Sequence, residues 1–377
     1  MGEGCTAKNI YLRSGLLFFL FIISVAASSF VIAIEGIENP QCKLPKNGRI
    51  DGVVELNANC TYFGSIVITE SNTSLNCMGS TLDGESERRY GILITGKGRE
   101  IKNVSVKNCN VENFTGVGVM VASGIKFERD GSRDKYYINA PKEITLSNLK
   151  VDNNLRGGVT FNAYVTDSVL QDSVVTNTNA AGVYLSQSSR GISIKNNIIQ
   201  KNGWRSKPGG WREGLAIDSS AGNKIINNRF IENAAGGIFL YKNCGENYSK
   251  GRSVIRWQPS SDNIIEDNVF KSEKIGVWVA SRQSKDLSKS DCGDPSVDKQ
   301  GRYYKDYSDR NLIRGNYFCG VKVAVRIEGN NNQMQYNIID KATKNWIVEP
   351  FKSKPKPDGE LTFGNQDISN KFQECNI

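Results

Sequence analysis

The chain has 377 residues, 48 Lys plus Arg against 39 Asp plus Glu, a formal net charge of +9 and no histidine. The missing histidine excludes every mechanism built on an imidazole base, a Ser-His-Asp triad included. The basic excess points to a polyanionic partner or to simple solubility, and the length suits either several domains or one solenoid that grows by repetition.

In chain order, residues 1–34 come first as a targeting segment. Residues 16–34 are apolar, preceded by Lys8 and Arg13, and small-residue cleavage patterns stand at Val25-Ala26-Ala27 and Val31-Ile32-Ala33. A cleaved secretory signal is expected ahead of an uncleaved anchor, although the stretch is nearly long enough to span a bilayer. Either way the remainder crosses a membrane, so the protein is expected to be secreted, periplasmic or extracellular, touching a membrane only through this segment. Cys5 lies within it, which leaves Cys42, Cys60, Cys77, Cys109, Cys244, Cys292, Cys319 and Cys375. An even count in an exported chain favours disulfides, with 105 pairings open in principle. Cys77 and Cys109 fall in successive repeats, whereas Cys244 and Cys292 fall in insertions that leave adjacent repeats and are expected to pair. For Cys109 a buried free thiol is the other reading.

Residues 35–345 read as a repeat. A Gly-aliphatic-x-aliphatic/Phe tetrad begins at Gly91, Gly118, Gly158, Gly182, Gly214, Gly237 and Gly276, with Ala324 in the eighth. The closest tetrads lie 23, 24 and 27 residues apart, and the longer gaps hold polar insertions. Such a period signals a solenoid whose units bury their apolar faces only by stacking. Each later unit continues as Ile-x-x-Asn-x-Ile/Phe: Ile194/Asn197/Ile199, Ile225/Asn228/Phe230, Ile265/Asn268/Phe270, Ile313/Asn316/Phe318 and, with Met leading, Met334/Asn337/Ile339. Cys109, Leu149 and Ser173 hold the Asn slot earlier. Asn tolerates a left-handed corner, and its amide can bond its counterpart one coil away. Short alternating apolar runs joined by such corners describe strands. Residues 346–377 are expected to form a cap or tail.

These residues resemble the right-handed parallel β-helix proteins of the pectin-lyase-like superfamily, in particular those with NosD-like β-helix repeats. The resemblance covers about residues 50–345. It implies an all-β, single-stranded right-handed parallel β-helix of nine to eleven coils, and a function within a range running from polysaccharide lyases, hydrolases and epimerases to non-catalytic proteins.

Strand alternation then places the site. With the second and fourth tetrad residues inward, the third and the residue after the tetrad point outward. One outward column reads Leu93, Met120, Thr160, Tyr184, Ala216, Phe239, Trp278, Arg326; the other reads Thr95, Ala122, Asn162, Ser186, Asp218, Tyr241, Ala280, Glu328. Outward aromatics mark an interaction face, here one on which sugar rings stack. The alternative is that the insertions fold over them as a satellite core. Basic insertions at 126–142, 205–212, 242–256 and 282–310 wall this face. Tyr184, Phe239, Trp278, Trp211 and Arg212 are therefore the expected substrate-binding residues. An acidic polysaccharide is the expected partner; no nucleic-acid-binding module is recognisable.

The chemistry follows from what remains. β-Elimination from a uronate needs a cation for the carboxylate and a base for the C5 proton. Arg326, Lys242, Arg282 and Arg212 are the candidate cations, and Tyr241 is the candidate base if neighbouring positive charge depresses its pKa. Asp218 and Glu328, with Glu213, are candidate ligands for Ca²⁺, or a carboxylate pair for glycoside hydrolysis. Each also has a plain reading as a solvated charge, and Arg326 with Glu328 as an ion pair. A monomeric lyase of a uronate-containing glycan is the first expectation. The alternatives are an epimerase or hydrolase, a carbohydrate-binding or polysaccharide-export protein, and an accessory β-helix for assembling a metalloenzyme. Four methionines and no histidine weigh against the last.

Overall fold

The structure, a computed structural model, describes residues 42–126, 133–204, 210–243, 248–250, 256–281, 291–292, 308–356 and 359–375. The expected targeting segment at 1–34, Cys244 and Arg282 lie outside the described residues. The solenoid occupies the compact unit Asn39–Ile377.

Among the described residues, three parallel sheets of eleven strands each take every third strand, so one coil is three short strands and eleven coils are present. This is the right-handed parallel β-helix that the repeat implies. The first sheet carries the tetrads, for instance Val183–Ser186, Leu215–Asp218, Ile238–Tyr241, Ile275–Val279 and Val323–Ile327. The coils continue past residue 345, where a cap or tail was expected. Asn345–Val348, Gln366–Ile368 and Lys371–Gln373 each pair with the coil before and complete the eleventh.

Inside, the aliphatic tetrad positions are buried in one continuous core. Phe230, Phe270 and Phe318 stack with ring centroids 5.1 and 4.8 Å apart. The expected Asn ladder is present and runs from Asn197 through Asn228, Asn268, Asn316 and Asn337 to Asn370. At each step Oδ1 accepts both the backbone N–H and the Nδ2 of the Asn one coil back. Asn228 donates to Asn268 at 2.8 and 2.9 Å, and its amide also reaches Ile194 O at 2.8 Å. One expected detail differs. The left-handed backbone belongs to the preceding residue, as at Asn196, Asn227, Asp267 and Tyr336. A side chain aimed into the core and a backbone that reverses the chain are thus carried by adjacent residues.

In the first coils the same slot is bonded differently. Cys77 and Cys109 form a disulfide, Leu149 N–H donates to Ser173 Oγ, and Ser173 N–H donates to Asn197 Oδ1. Cys42 with Cys60 and Cys319 with Cys375 tie the two ends. Cys292 is also disulfide-bonded. Disulfides at these positions place the folded chain in an oxidising compartment.

Two further ladders were not expected. Asn223, Asn263, Asn311, Asn332 and Asn365 form one, each five residues before its partner in the first ladder. Asn202 and Asn233 form the other, five residues after, and there the next coil supplies Glu273.

Candidate functional site

Pairing along the first sheet confirms both outward columns. Tyr184 pairs with Ala216, Ala216 with Phe239, Phe239 with Trp278 and Trp278 with Arg326, while Asp218 pairs with Tyr241. The expected exposure does not hold over the middle and late coils. Asp218, Ala216 and Glu328 are wholly buried, Phe239 is buried, and Tyr184, Tyr241, Trp278 and Lys242 are half-buried. The insertion after Tyr241 returns over the sheet. Its Arg256 and Gln258 are buried, and Trp257 packs on a second apolar cluster of Tyr136, Tyr137, Ala140, Ala163 and Tyr164. The satellite-core alternative therefore describes part of this face.

Beneath that cover lies a polar cluster. Asp218 Oδ1 accepts hydrogen bonds from Ser219 Oγ at 3.0 Å and from the Asn243 N–H at 2.8 Å. Asp218 Oδ2 accepts from Tyr184 Oη and, at 3.3 Å, from Arg256 Nη1, which also donates to Ser186 Oγ at 3.2 Å. Next to it, Tyr241 Oη donates to Glu213 Oε1 at 2.9 Å. Ala216, the smallest residue in its column, stands on the strand that Tyr184 and Phe239 flank.

Electrostatics separate the groups. Burial holds the Glu213 carboxyl above the usual carboxylate range, against the bond from Tyr241. Burial, then the Glu213 charge, pushes the Tyr241 phenol well up; burial, then Asp218, does the same to Tyr184. Burial works against the Arg256 charge, but Asp218 and the tyrosines outweigh it and its proton is held more tightly. Tyr241 thus does not have the depressed pKa expected of a phenolic base, because burial, the largest cause, disfavours the phenolate.

The other expected site residues fall elsewhere. Arg326 donates from Nε (2.9 Å) and Nη2 (2.7 Å) to Glu328 Oε1, and its guanidinium lies 5.0 Å from the centroid of the Trp278 ring. Glu328 Oε2 accepts from the Ser281 N–H. This is the ion-pair reading, realised. Asp218 and Glu328 stand three coils apart, about 14 Å at one strand spacing per coil, so the structure does not bring them onto one ion. Trp211 and Arg212 lie before the first-sheet strand, at the corner where the third sheet leads into the first, with Trp211 against Trp204 and Lys274. Sequence reasoning missed Arg256, one of many basic residues in its insertion; nothing in the spacing singles it out.

A family model described as periplasmic copper-binding protein (NosD) matches residues 93–353. The chain belongs to the NosD family. Among solved structures it resembles the mannuronan C-5 epimerase AlgE6 A-module of Azotobacter vinelandii, with 12% identity, 87% of this chain and 83% of that one covered, and TM-score 0.51. A mutant of the periplasmic alginate epimerase AlgG aligns with 11% identity, 86% and 75% coverage and TM-score 0.50. The alginate lyase of Paenibacillus sp. str. FPU-7 aligns with 11% identity, 85% and 90% coverage and TM-score 0.46. At these identities the likeness is one of fold. No curated protein is significantly similar in sequence.

The NosD description implies copper, which favours thiolate, thioether and imidazole donors. The chain has no histidine. Cys42, Cys60, Cys77, Cys109, Cys319 and Cys375 are held in disulfides. Met78 is an exposed turn residue, Met120 lies on the outward face of the first sheet and Met334 is in the core. Cys319, Asp340 and Cys375 come close together, but the two cysteines are bonded to each other. The described residues do not fit a copper centre.

Proposed function

We propose that this NosD-family protein acts on an acidic polysaccharide laid along the first sheet, cleaving it by acid–base chemistry with Glu213 and Asp218 as the pair. The observation that carries this reading is that two buried carboxylates with unlike surroundings flank one first-sheet strand, Glu213 just before Leu215–Asp218 and Asp218 at its end, and that Tyr241, paired with Asp218 on the next coil, bonds back to Glu213. Glu213 accepts from Tyr241 and has a pKa raised by burial, which suits it to give a proton to a leaving oxygen. Asp218 accepts four hydrogen bonds, one from Arg256, and is the group that activates water or attacks the sugar. Tyr184 and Asn243, which bond Asp218, and Tyr241, which bonds Glu213, are half-buried, as is Lys242. The net charge of +9 favours a polyanion. The epimerases that share the fold are named for mannuronan and for alginate, which accords with that charge.

Elimination with Tyr241 as base was the first expectation from sequence. Its raised pKa and the pairing of Arg326 with Glu328 move the balance to hydrolysis. The test is incubation with alginate, pectate, hyaluronan and bacterial capsule. New reducing ends without the ultraviolet absorbance of an unsaturated uronate are expected, and they are lost in Glu213→Gln. An unsaturated product made equally well by Glu213→Gln contradicts the assignment. A non-catalytic glycan-binding protein is the second reading, favoured by the full burial of Asp218; it predicts salt-dependent binding with no product.

A further inference from the structure

The corner between the third and first sheets holds a feature separate from Glu213 and Asp218. In three successive coils the residue that turns this corner is left-handed: Asn177, Lys201 and Glu232. With Thr178, Asn179 and Trp204 they line a cleft of about 390 Å³, within the size range of small-molecule sites. Trp204 is 49% exposed, unusual for so large a ring on a surface of amides and charges. It is nevertheless held in place. Its Nε1 donates to Glu232 O at 3.3 Å, and its ring centroid lies 5.5 Å from that of Trp211. The Lys274 ammonium sits 3.4 Å from the Trp211 centroid and 5.9 Å from that of Trp204. Burial, then Lys322, loosens the Lys274 proton.

A braced, half-exposed indole beside amides and ammonium groups is chemically suited to a sugar. The ring's C–H face lies on the indole, the hydroxyls meet the amides, and an acidic substituent meets the cations. We propose that this corner cleft binds one unit of an anionic glycan, its face on Trp204 and its acidic group toward Lys201 and Lys274. The ligand class rests on the glycan reading above; the cleft itself does not depend on the chemistry assigned to Glu213 and Asp218. A glycan held here would be gripped at the entry to the first sheet and led onto its face.

The test is calorimetric titration of the full chain with alginate and polygalacturonate oligosaccharides, with neutral cello-oligosaccharides for comparison. The wild type is expected to bind the acidic series more tightly. Trp204→Ala should lower that affinity by about tenfold or more, and Lys274→Ala should reduce the preference for acidic over neutral chains. Trp204 is half-exposed, so its variant keeps the fold, as circular dichroism will show; Lys201→Ala provides a second, independent change. Wild-type affinity in both Trp204→Ala and Lys274→Ala, or no binding of acidic oligosaccharides by the wild type, overturns the proposal. Loss of binding in Trp204→Ala while the wild type releases no product leaves the cleft standing and removes the catalytic reading. Cleavage by a wild type whose Trp204→Ala variant binds undiminished removes the cleft alone.

Discussion

The interior corners of the solenoid and the outward face of its first sheet are built from the same coils, yet they follow opposite rules. At the corners one residue type recurs from coil to coil, because each Asn is bonded by its own copy above and below. On the outward face almost no residue recurs: Tyr184, Ala216, Phe239, Trp278 and Arg326 follow one another in a single column. What stacks on itself repeats, and what is covered by an insertion or a ligand varies. Stability should therefore sit in the repeated positions and specificity in the unrepeated ones.

The sharpest way to break that contrast is at the ladder. Asn268→Leu leaves the buried Asn228 N–H without a partner and takes one donor from the Ile225 carbonyl. For one unsatisfied buried group, denaturant melts should show a loss of about 1–3 kcal/mol. A change below about 1 kcal/mol would mean that the ladder is incidental to stability.

On the covered face, Arg256→Met removes the cation from a wholly buried Asp218 while keeping most of the packing. A loss of about 3–5 kcal/mol is expected, the cost of leaving a buried charge uncompensated. Asp218→Asn in the same background should recover much of it, which a double-mutant cycle will measure.

Glu273 is the place where the third ladder departs from its rule. It accepts from Asn233 N and Nδ2 at 3.2 and 2.8 Å, while its Oε2 is buried without a partner. Burial raises its pKa from 4.5 to about 8. The folded protein therefore holds this proton more tightly than the unfolded chain does. Its contribution is complete below pH 4.5 and is lost as pH rises toward and past about 8. Glu273→Gln should flatten that slope and raise stability at pH 8 by the order of a few kcal/mol, as equilibrium melts across the pH range will show. The smallest effect is expected outside, where Arg310 and Asp262 form an exposed pair on successive corners. Arg310→Ala should change stability by less than about 1 kcal/mol and depend on salt.

These differences explain what could be read from the residues. Asn197, Asn228, Asn268, Asn316 and Asn337 were legible because a ladder imposes a repeating letter, and the second ladder was equally present as an Asn five residues earlier, at Asn223, Asn263, Asn311, Asn332 and Asn365. The columns holding Asp218 and Tyr241 were legible because strand alternation has a fixed period. Their burial was not, since it depends on Arg256 and Gln258 returning from an insertion that has no period. Tyr241 shows the consequence. Its register position was legible, but the sign of its pKa shift depended on its burial beside Glu213, and only the folded insertion and corner decide that. Likewise Trp211 and Arg212 were expected at the wall of the first sheet, and the turn at Gly203 puts them at the corner before the strand. A Cβ at Gly203, whose φ is +82°, would stand 2.0 Å from Arg212 O, so that close return needs a glycine.

The pH–rate profile of glycan cleavage by the wild type and by Glu213→Gln tests the central claim most directly. Glu213 as the acid predicts an alkaline limb moved upward from that of an ordinary carboxylate, and this limb is lost with activity in Glu213→Gln. A profile that rises with the ionisation of a phenol and survives in Glu213→Gln would contradict it and return the chemistry to Tyr241.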